Sequence, residues 1–285
     1  MTILLSLYKF FTKQLTGTNI SRNPIARKII NNLNSKLKPE YVLIEGKKLF
    51  LDEGDSLFLS LSSHETMQVS LSKKEIKEGD VVLDIGAHIG YYTIIFSELV
   101  GPNGKVYAFE PHPKNFQLLK KTVEINNLTN VEIFQNIISD KNELVDFYMS
   151  KLDSIGNRMF SSDEANSKIK INSISIDEFF KNRNDEINFI KMDIQGAEVL
   201  AIDGMKETLK NNKDLKIIQE WWPEAIQKYG RTPDSHLNFL KELGFNFYVV
   251  DENHDQLIHI TIPKLMETYP NEDLEDVNLF CVKEK

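Results

Sequence analysis

A chain of 285 residues, 41% hydrophobic and 27% charged, has the make-up of a globular protein that buries a large core, as one large or two small domains. A formal net charge of −8 argues against a general affinity for nucleic acid, and the single cysteine, Cys281, excludes an internal disulfide and suits a reducing, cytoplasmic compartment as a buried thiol. The charge is uneven, because ahead of Tyr41 seven basic residues face one acid, Glu40, for a net +6.

The first stretch, Ile3 to Leu15, is apolar but broken by Lys9 and Lys13, and it falls short of the roughly 20 residues that a membrane-spanning helix needs. No small-residue cleavage site follows, so a signal peptide is not expected. As a helix it gathers Ile3, Leu7, Phe10 and Phe11 on one side. Such a stripe suits packing on its own domain or a partner, or else a peripheral contact of residues 1–40 with an anionic membrane surface. Residues 41–78 read as a small β cap, since alternation between Tyr41 and Lys73 is punctuated by turn signals at Glu45-Gly46-Lys47 and Glu53-Gly54-Asp55.

From residue 79 the grammar changes to that of a main domain running to 285. Val81 to Ile85 is a short apolar run of the kind found in a fully buried parallel strand. Gly86 and Gly90 then bracket a tight loop in which backbone can approach a ligand, and Tyr91 to Leu99 carries helix-compatible spacing. The G-x-x-x-G spacing is not the G-x-G-x-x-G of a dinucleotide site, and Asp84 would repel a pyrophosphate. A carboxylate there suits a cationic ligand, such as the α-amino group of S-adenosylmethionine. Lys105 to Phe109 is the next strand and ends in Glu110, 24 residues after Gly86, near the offset of about 20 at which an acid takes ribose hydroxyls.

A helix is expected from about Pro113 to Asn126, with Phe116, Leu119 and Val123 facing the core. Val131 to Phe134 is a third strand. The loop after it, through Asn136 to Asp140, opens on the ligand side, where a backbone amide or Asp140 would meet an adenine. Two further strands bracket a polar loop from Lys151 to Lys168, with Asn157 and Arg158 in it, which reads equally as a substrate lid or a solvated connection. Asn188 to Asp193 is another strand, and Lys191 and Asp193 share a face by its period of two. Gln195-Gly196-Ala197-Glu198 opens a helix, so Asp193 and Glu198 converge at one strand end. Acids at a helix start also need no function beyond the dipole. Leu215 to Glu220 is a strand leaving through Trp221 and Trp222, whose aromatic faces suit stacking on a sugar or ring, or core packing. Strands alternating with helices to the end of the chain mean an α/β fold with a mostly parallel sheet.

Four blocks resemble the FkbM family of S-adenosylmethionine-dependent methyltransferases: Val81 to Thr93, Gly104 to Val131, Ser173 to Phe179, and Phe189 to Met205. The resemblance starts near Glu65 and continues more loosely after Met205. It implies a Rossmann-like, seven-stranded class I methyltransferase sheet with helices on both faces, and methyl transfer to a hydroxyl on a small-molecule, glycan or lipid-linked acceptor. The expected donor site comprises Glu65, Asp84, Gly86, His88, Gly90, Glu110, Pro111 and Asp140. The acceptor side comprises His112, Lys191, Gln195 and Trp222, with Asp193 as the expected base and Glu198 next. His88 and His112 are further candidates for the base, but each also suits a loop-holding role. Gln195 departs from the family, which usually carries glutamate there, so Asp193 and Glu198 are left with more to do. No H-x-H or H-E-x-x-H spacing supports a metal. A nicotinamide oxidoreductase and a cofactor-binding protein without turnover are the rival readings.

Overall fold

A computed structural model describes residues 38–57, 59–60, 64–150, 165–269 and 276–283. The apolar stretch from Ile3 to Leu15 and the polar loop around Asn157 and Arg158 lie outside the described residues. The chain enters through a hairpin, β1 (Tyr41–Ile44) and β2 (Lys47–Phe50). Glu45 and Gly46 at its turn both take positive φ, 48° and 78°, which matches the twist of paired strands. The expected β cap stops there. Thr66–Glu75 is a helix, α1, because Gln68, Leu71 and Ser72 fall at i, i+3 and i+4 on one buried face. Alternation of polar and apolar residues through Met67 to Leu71 hides that face in the sequence. Its first free N–H groups, those of Met67 and Gln68, donate to the Glu252 carboxylate at 2.9 and 3.0 Å.

Strand β3 (Val81–Ile85) stops at Gly86, and α2 (Tyr91–Val100) starts after Gly90. Helix α2 is apolar on nearly every side because it is buried between the sheet and the layer made by β2 and α1. Strand β4 (Lys105–Phe109) leads to α3 (Pro113–Ile125), which has Pro113 at its first position and His112 Nδ1 accepting from Asn115 N at 3.4 Å. Its Leu119, Phe116 and Val123 pack inward as expected. Strand β5 (Val131–Phe134) follows. Strands β6 (Ile137–Ile138), β7 (Leu144–Ser150) and β8 (Ala165–Ile174) then form a separate small sheet in the order β6-β8-β7. Helix α4 (Ile176–Phe180) returns the chain to β9 (Ile187–Met192). The rest runs α5 (Glu198–Asp203), α6 (Lys206–Asn211), β10 (Lys216–Trp221), α7 (Pro223–Lys228), α8 (Ser235–Glu242), β11 (Phe245–Asp251), β12 (Gln256–Ile260), α9 (Ile262–Thr268) and β13 (Val277–Lys283).

The main sheet has the order β12-β11-β13-β10-β9-β3-β4-β5. Strands β10, β9, β3, β4 and β5 are mutually parallel, and β13 is antiparallel to both β10 and β11. The expected seven-stranded sheet is present, and β12 adds an antiparallel eighth strand at the edge beyond β11. A five-residue edge strand with mixed exposure carries little signal in sequence. The chain builds outward from β3 to β5 and then returns to lay β9 on the other side of β3. In an open parallel sheet that reversal leaves a crevice at the carboxyl ends of the two strands, which is where ligands bind.

Each face of the sheet carries its own core. Ile94, Ile95 and Phe96 pack with Val82 and Val106 on one, and Ile202, Leu209 and Leu240 with Ile190 and Ile217 on the other. Trp221 belongs to the second core at 0% exposure, with its indole N–H donating to Pro233 O at 2.9 Å, so it is a packing residue. Cys281 is buried as expected, and burial pushes its thiol up to about 12. No described helix is long and apolar enough to cross a membrane.

His236 in α8 is 3% exposed, and neither ring nitrogen has a hydrogen-bond partner among the described residues. Burial lowers it to about 4, against the opposing pull of Asp203 and Asp234. A folded-state value below the unfolded one means that folding favours neutral histidine. The associated stability is complete above the ordinary value of about 6.5 and is lost as pH falls from there to about 4, a change of about 3 kcal/mol. Chemical denaturation should therefore show the parent losing about that much more stability than His236→Leu between pH 7.5 and pH 4. Parallel losses in the two proteins would refute it.

Candidate active site

The crevice between β3 and β9 is set by one glycine. Gly86 takes φ +86°, and a Cβ placed there would lie 2.1 Å from the backbone oxygen of Asp193. Only a residue without a side chain lets the β3 loop and the β9 loop touch. Asp193 N in turn donates to Ile85 O at 3.0 Å, continuing the ladder one step past the strand. Gly90, at φ +99°, would set a Cβ 2.9 Å from Leu119 of α3. His88 between the glycines also has positive φ, 51°, a conformation that costs a non-glycine residue on the order of 1 kcal/mol and gathers at functional loops.

Glu110 ties the two loops together. Its Oε2 accepts from His88 N and its Oε1 from His112 N, both at 2.8 Å. Burial raises its carboxyl to about 7, against the lowering effect of those two N–H groups. The signal for this clamp was an acid ending one strand. That its partners would be the backbones of His88 and His112 was not readable.

Together these loops enclose a cleft of about 740 Å³, part of it open to solvent. Its lining includes the apolar Phe109, Ile137, Ile138 and Phe147, with Gly86, His88, Glu110 and Pro111 from the loops after β3 and β4, and Asp193, Ile194, Gln195 and Tyr229 from later in the chain. Leu57, from the segment ahead of α1, completes the lining with Ile85, Asn115, Asn136 and Ala197.

Several expected residues stand behind this surface. Asp84 is 0% exposed and does not line the cleft. Its Oδ2 accepts from the Thr93 hydroxyl at 2.6 Å, while Oδ1 has no hydrogen-bond partner among the described residues. Burial raises it to about 6, opposed by Lys191 and Thr93. Glu65 takes φ 44° at the start of α1 and accepts from the Tyr92 hydroxyl at 2.8 Å. His112 caps α3, Asp140 accepts from Ser139 Oγ at 3.2 Å, and Trp222 leads into α7. None of these four lines the cleft.

The two carboxylates expected to share the chemistry are placed differently. Asp193 is on the cleft wall with its side chain 37% exposed, 3.3 Å from the Lys191 ammonium. Burial works to raise it, but the charge and hydrogen bond of Lys191 win and hold it below the usual carboxylate range. Glu198 is 0% exposed and turns back under its own loop, where Oε1 accepts from Ile194 N at 2.8 Å. Burial raises it to about 8. Gln195, strained at φ 60°, reaches Glu220 with its amide nitrogen 3.4 Å from both carboxylate oxygens. Burial, then Asp193 and Glu198, raise the Glu220 carboxyl well above its ordinary value, and the Gln195 amide donates to it without adding another acid to this cluster.

Sequence reasoning passed over Leu57, Asn115, Phe147 and Tyr229. Leu57 and Phe147 come from outside the parallel strand ends, where ligand residues of an open α/β sheet gather. Asn115 and Tyr229 had no feature that set them apart from helix surface.

This strand order, with a crevice at the β3–β9 reversal and an acid closing β4, defines a class I methyltransferase. The chain belongs to the methyltransferase FkbM domain family, whose pattern matches residues 84–247. The cofactor of the class is S-adenosylmethionine. Among curated proteins, it is 28% identical over 169 residues to a probable cobalt-precorrin-6B C(15)-methyltransferase (decarboxylating) of Saccharolobus solfataricus. It is also 29% identical over 127 residues to a protein-L-isoaspartate O-methyltransferase of Fervidobacterium nodosum. Those alignments span 84% and 62% of the relatives and 53% and 44% of this chain. A crystal structure of methyltransferase FkbM from Methylobacillus flagellatus superposes with a TM-score of 0.45 at 17% identity, covering 72% of this chain and 44% of that one.

The residues present fit the donor. Glu110 faces the cleft, Gly86 brings bare backbone to its wall where a Cβ would collide with the Asp193 oxygen, and Asp84 keeps an unpartnered buried oxygen behind it.

Proposed function

We propose that this methyltransferase methylates a hydroxyl of a small-molecule, glycan or lipid-linked acceptor, with Asp193 facing the acceptor. The observation that carries the reading is the position of Asp193, an ionised carboxylate on the cleft wall in backbone contact with the glycine loop of the donor side. When bound, S-adenosylmethionine supplies an electrophilic methyl on a positively charged sulfur. The chain then has three tasks. Glu110 and the apolar pocket of Ile137, Ile138 and Phe147 hold the donor. Asp193 accepts a hydrogen bond from the acceptor hydroxyl and takes its proton as the oxygen reacts. Glu198, through Ile194 N, holds the loop that carries Asp193 and Gln195 in place.

Alignment is the larger part of such catalysis. The reading is tested by incubating the protein with methyl-labelled donor and a panel of polyols, glycans and lipid-linked sugars. Label on an acceptor oxygen, with a product heavier by one CH₂, is the expected result. Label found only on carbon or on a carboxylate would replace the hydroxyl reading.

Donor binding has its own test. Glu110→Ala should weaken S-adenosylhomocysteine binding in calorimetry by about 10- to 150-fold, the equivalent of ~1.5–3 kcal/mol for hydrogen bonds to a charged group. An affinity within twofold of the parent would remove Glu110 from the donor site.

A further inference from the structure

Lys191 stands at the middle of the site without a part in the chemistry above. Its side chain is 5% exposed, and its ammonium lies 3.3 Å from Asp193 Oδ2 and 4.6 Å from the centroid of the Tyr92 ring. Asp84 is its register partner across β3 and β9. Tyr92 reaches on to Glu65 with its hydroxyl. A single buried cation thus sits among carboxylates from three places: Asp84 on β3, Asp193 beyond β9, and Glu65 ahead of α1.

Burying an ammonium costs several kcal/mol unless its partners are well placed. Here burial works to lower Lys191, yet Asp193, Glu65 and Asp84 outweigh it, and the net effect is to raise it. The two ends of the pair differ: Asp193 stays at the cleft surface while Lys191 is enclosed. The pair is therefore a buried anchor with an exposed working end.

We propose that Lys191 is a positioning residue of the methyl-transfer site, whose ammonium fixes the Asp193 carboxylate at the cleft wall and joins it to Asp84 on the donor side. The proposal rests on the reading of Asp193 as the group that faces the acceptor. Lys191 is faced by Asp84 from β3, Tyr92 from α2 and Glu65 from the start of α1. Asp193 is influenced in addition by His64 and Gln195, which lower it, and it acts in turn on Glu198 and Glu220. With Lys191 gone, burial loses its largest opponent, and the smaller effects of Gln195 and His64 remain. The Asp193 carboxyl should then titrate at higher pH, and the acid limb of the turnover profile should move with it.

The test uses the full-length protein with ¹³C-labelled aspartate carboxyls, the Asp193 signal being assigned by its loss in Asp193→Asn. In Lys191→Met its midpoint should rise by about one pH unit or more, as expected when an opposite charge within ~4–6 Å is removed. Lys191→Arg should stay near the parent. A midpoint unmoved in Lys191→Met overturns the proposal. Should that variant fail to fold, the double variant Lys191→Met/Asp193→Asn decides, since removing both charges should restore a folded protein with a melting transition. No recovery also overturns it. The acceptor reading fails separately, if Asp193→Asn turns over normally while the titration behaves as described.

Discussion

Asp193→Asn is expected to lower turnover by ~10² to 10⁴ while donor affinity stays within about twofold of the parent. The substitution keeps the shape of the side chain and removes its capacity to take a proton. Asp193 stands after β9, in the half of the chain that follows the donor loops, and the contact between the halves is through its backbone oxygen at Gly86. The backbone contact survives the change, so the donor loops keep their form. Lys191 loses its closest anion but keeps Asp84 and Glu65. Calorimetry with S-adenosylhomocysteine and single-turnover kinetics with labelled donor separate the two effects. Equal losses in both would place Asp193 on the donor, and normal turnover would move the base elsewhere.

Gly86→Ala is expected to destabilise the protein by about 2–5 kcal/mol, combining a left-handed backbone at ~1–2 kcal/mol with an overpacked contact at ~1–3 kcal/mol. At φ +86° the new Cβ would lie 2.1 Å from the Asp193 oxygen, and because both groups are backbone, neither can turn aside. Gly46 supplies the control. It has a similar φ of +78° in the hairpin turn, but no atom lies within 4 Å of a Cβ there. Gly46→Ala should therefore carry only the backbone part, about 1–2 kcal/mol. Unfolding in denaturant measures both. If the two variants lose the same amount, the close approach of the β3 and β9 loops is not what Gly86 protects.

The parallel core was legible because its strands are short, apolar and separated by amphipathic helices, and the Gly86 loop and Glu110 followed from the same grammar. Two kinds of feature were not. Thr66–Glu75 read as a strand because a helix whose buried face carries Gln68 and Ser72 has no apolar stripe to betray it. Its start is capped by a carboxylate distant in sequence, which no local pattern announces. In the site, the carboxylates at Asp84, Asp193 and Glu198 were visible as residues, but their division of labour was not. Asp84 and Glu198 lie at 0% exposure, and only Asp193 looks into the cleft. Spacing along a strand gives the face a side chain takes, whereas exposure at a strand end depends on how the following loop folds back.

The capping of α1 by Glu252 bears on the order in which the molecule assembles. The two ends of that contact are 185 residues apart, and a closure of that length is formed late, after the local pieces that make it worthwhile. The helix has no side-chain cap of its own, and its preceding residue, Glu65, is held at a left-handed φ of 44°. The first turn of α1 therefore gains its cap only when β11 and the turn after it are in place, whereas the nearby segment carrying Leu57 is held locally, Leu59 N and Ser60 N donating to Asp55 at 3.0 and 3.1 Å. An early and a late part of the chain are thus tied through one carboxylate, and loosening the turn after β11 would bare the first N–H groups of α1.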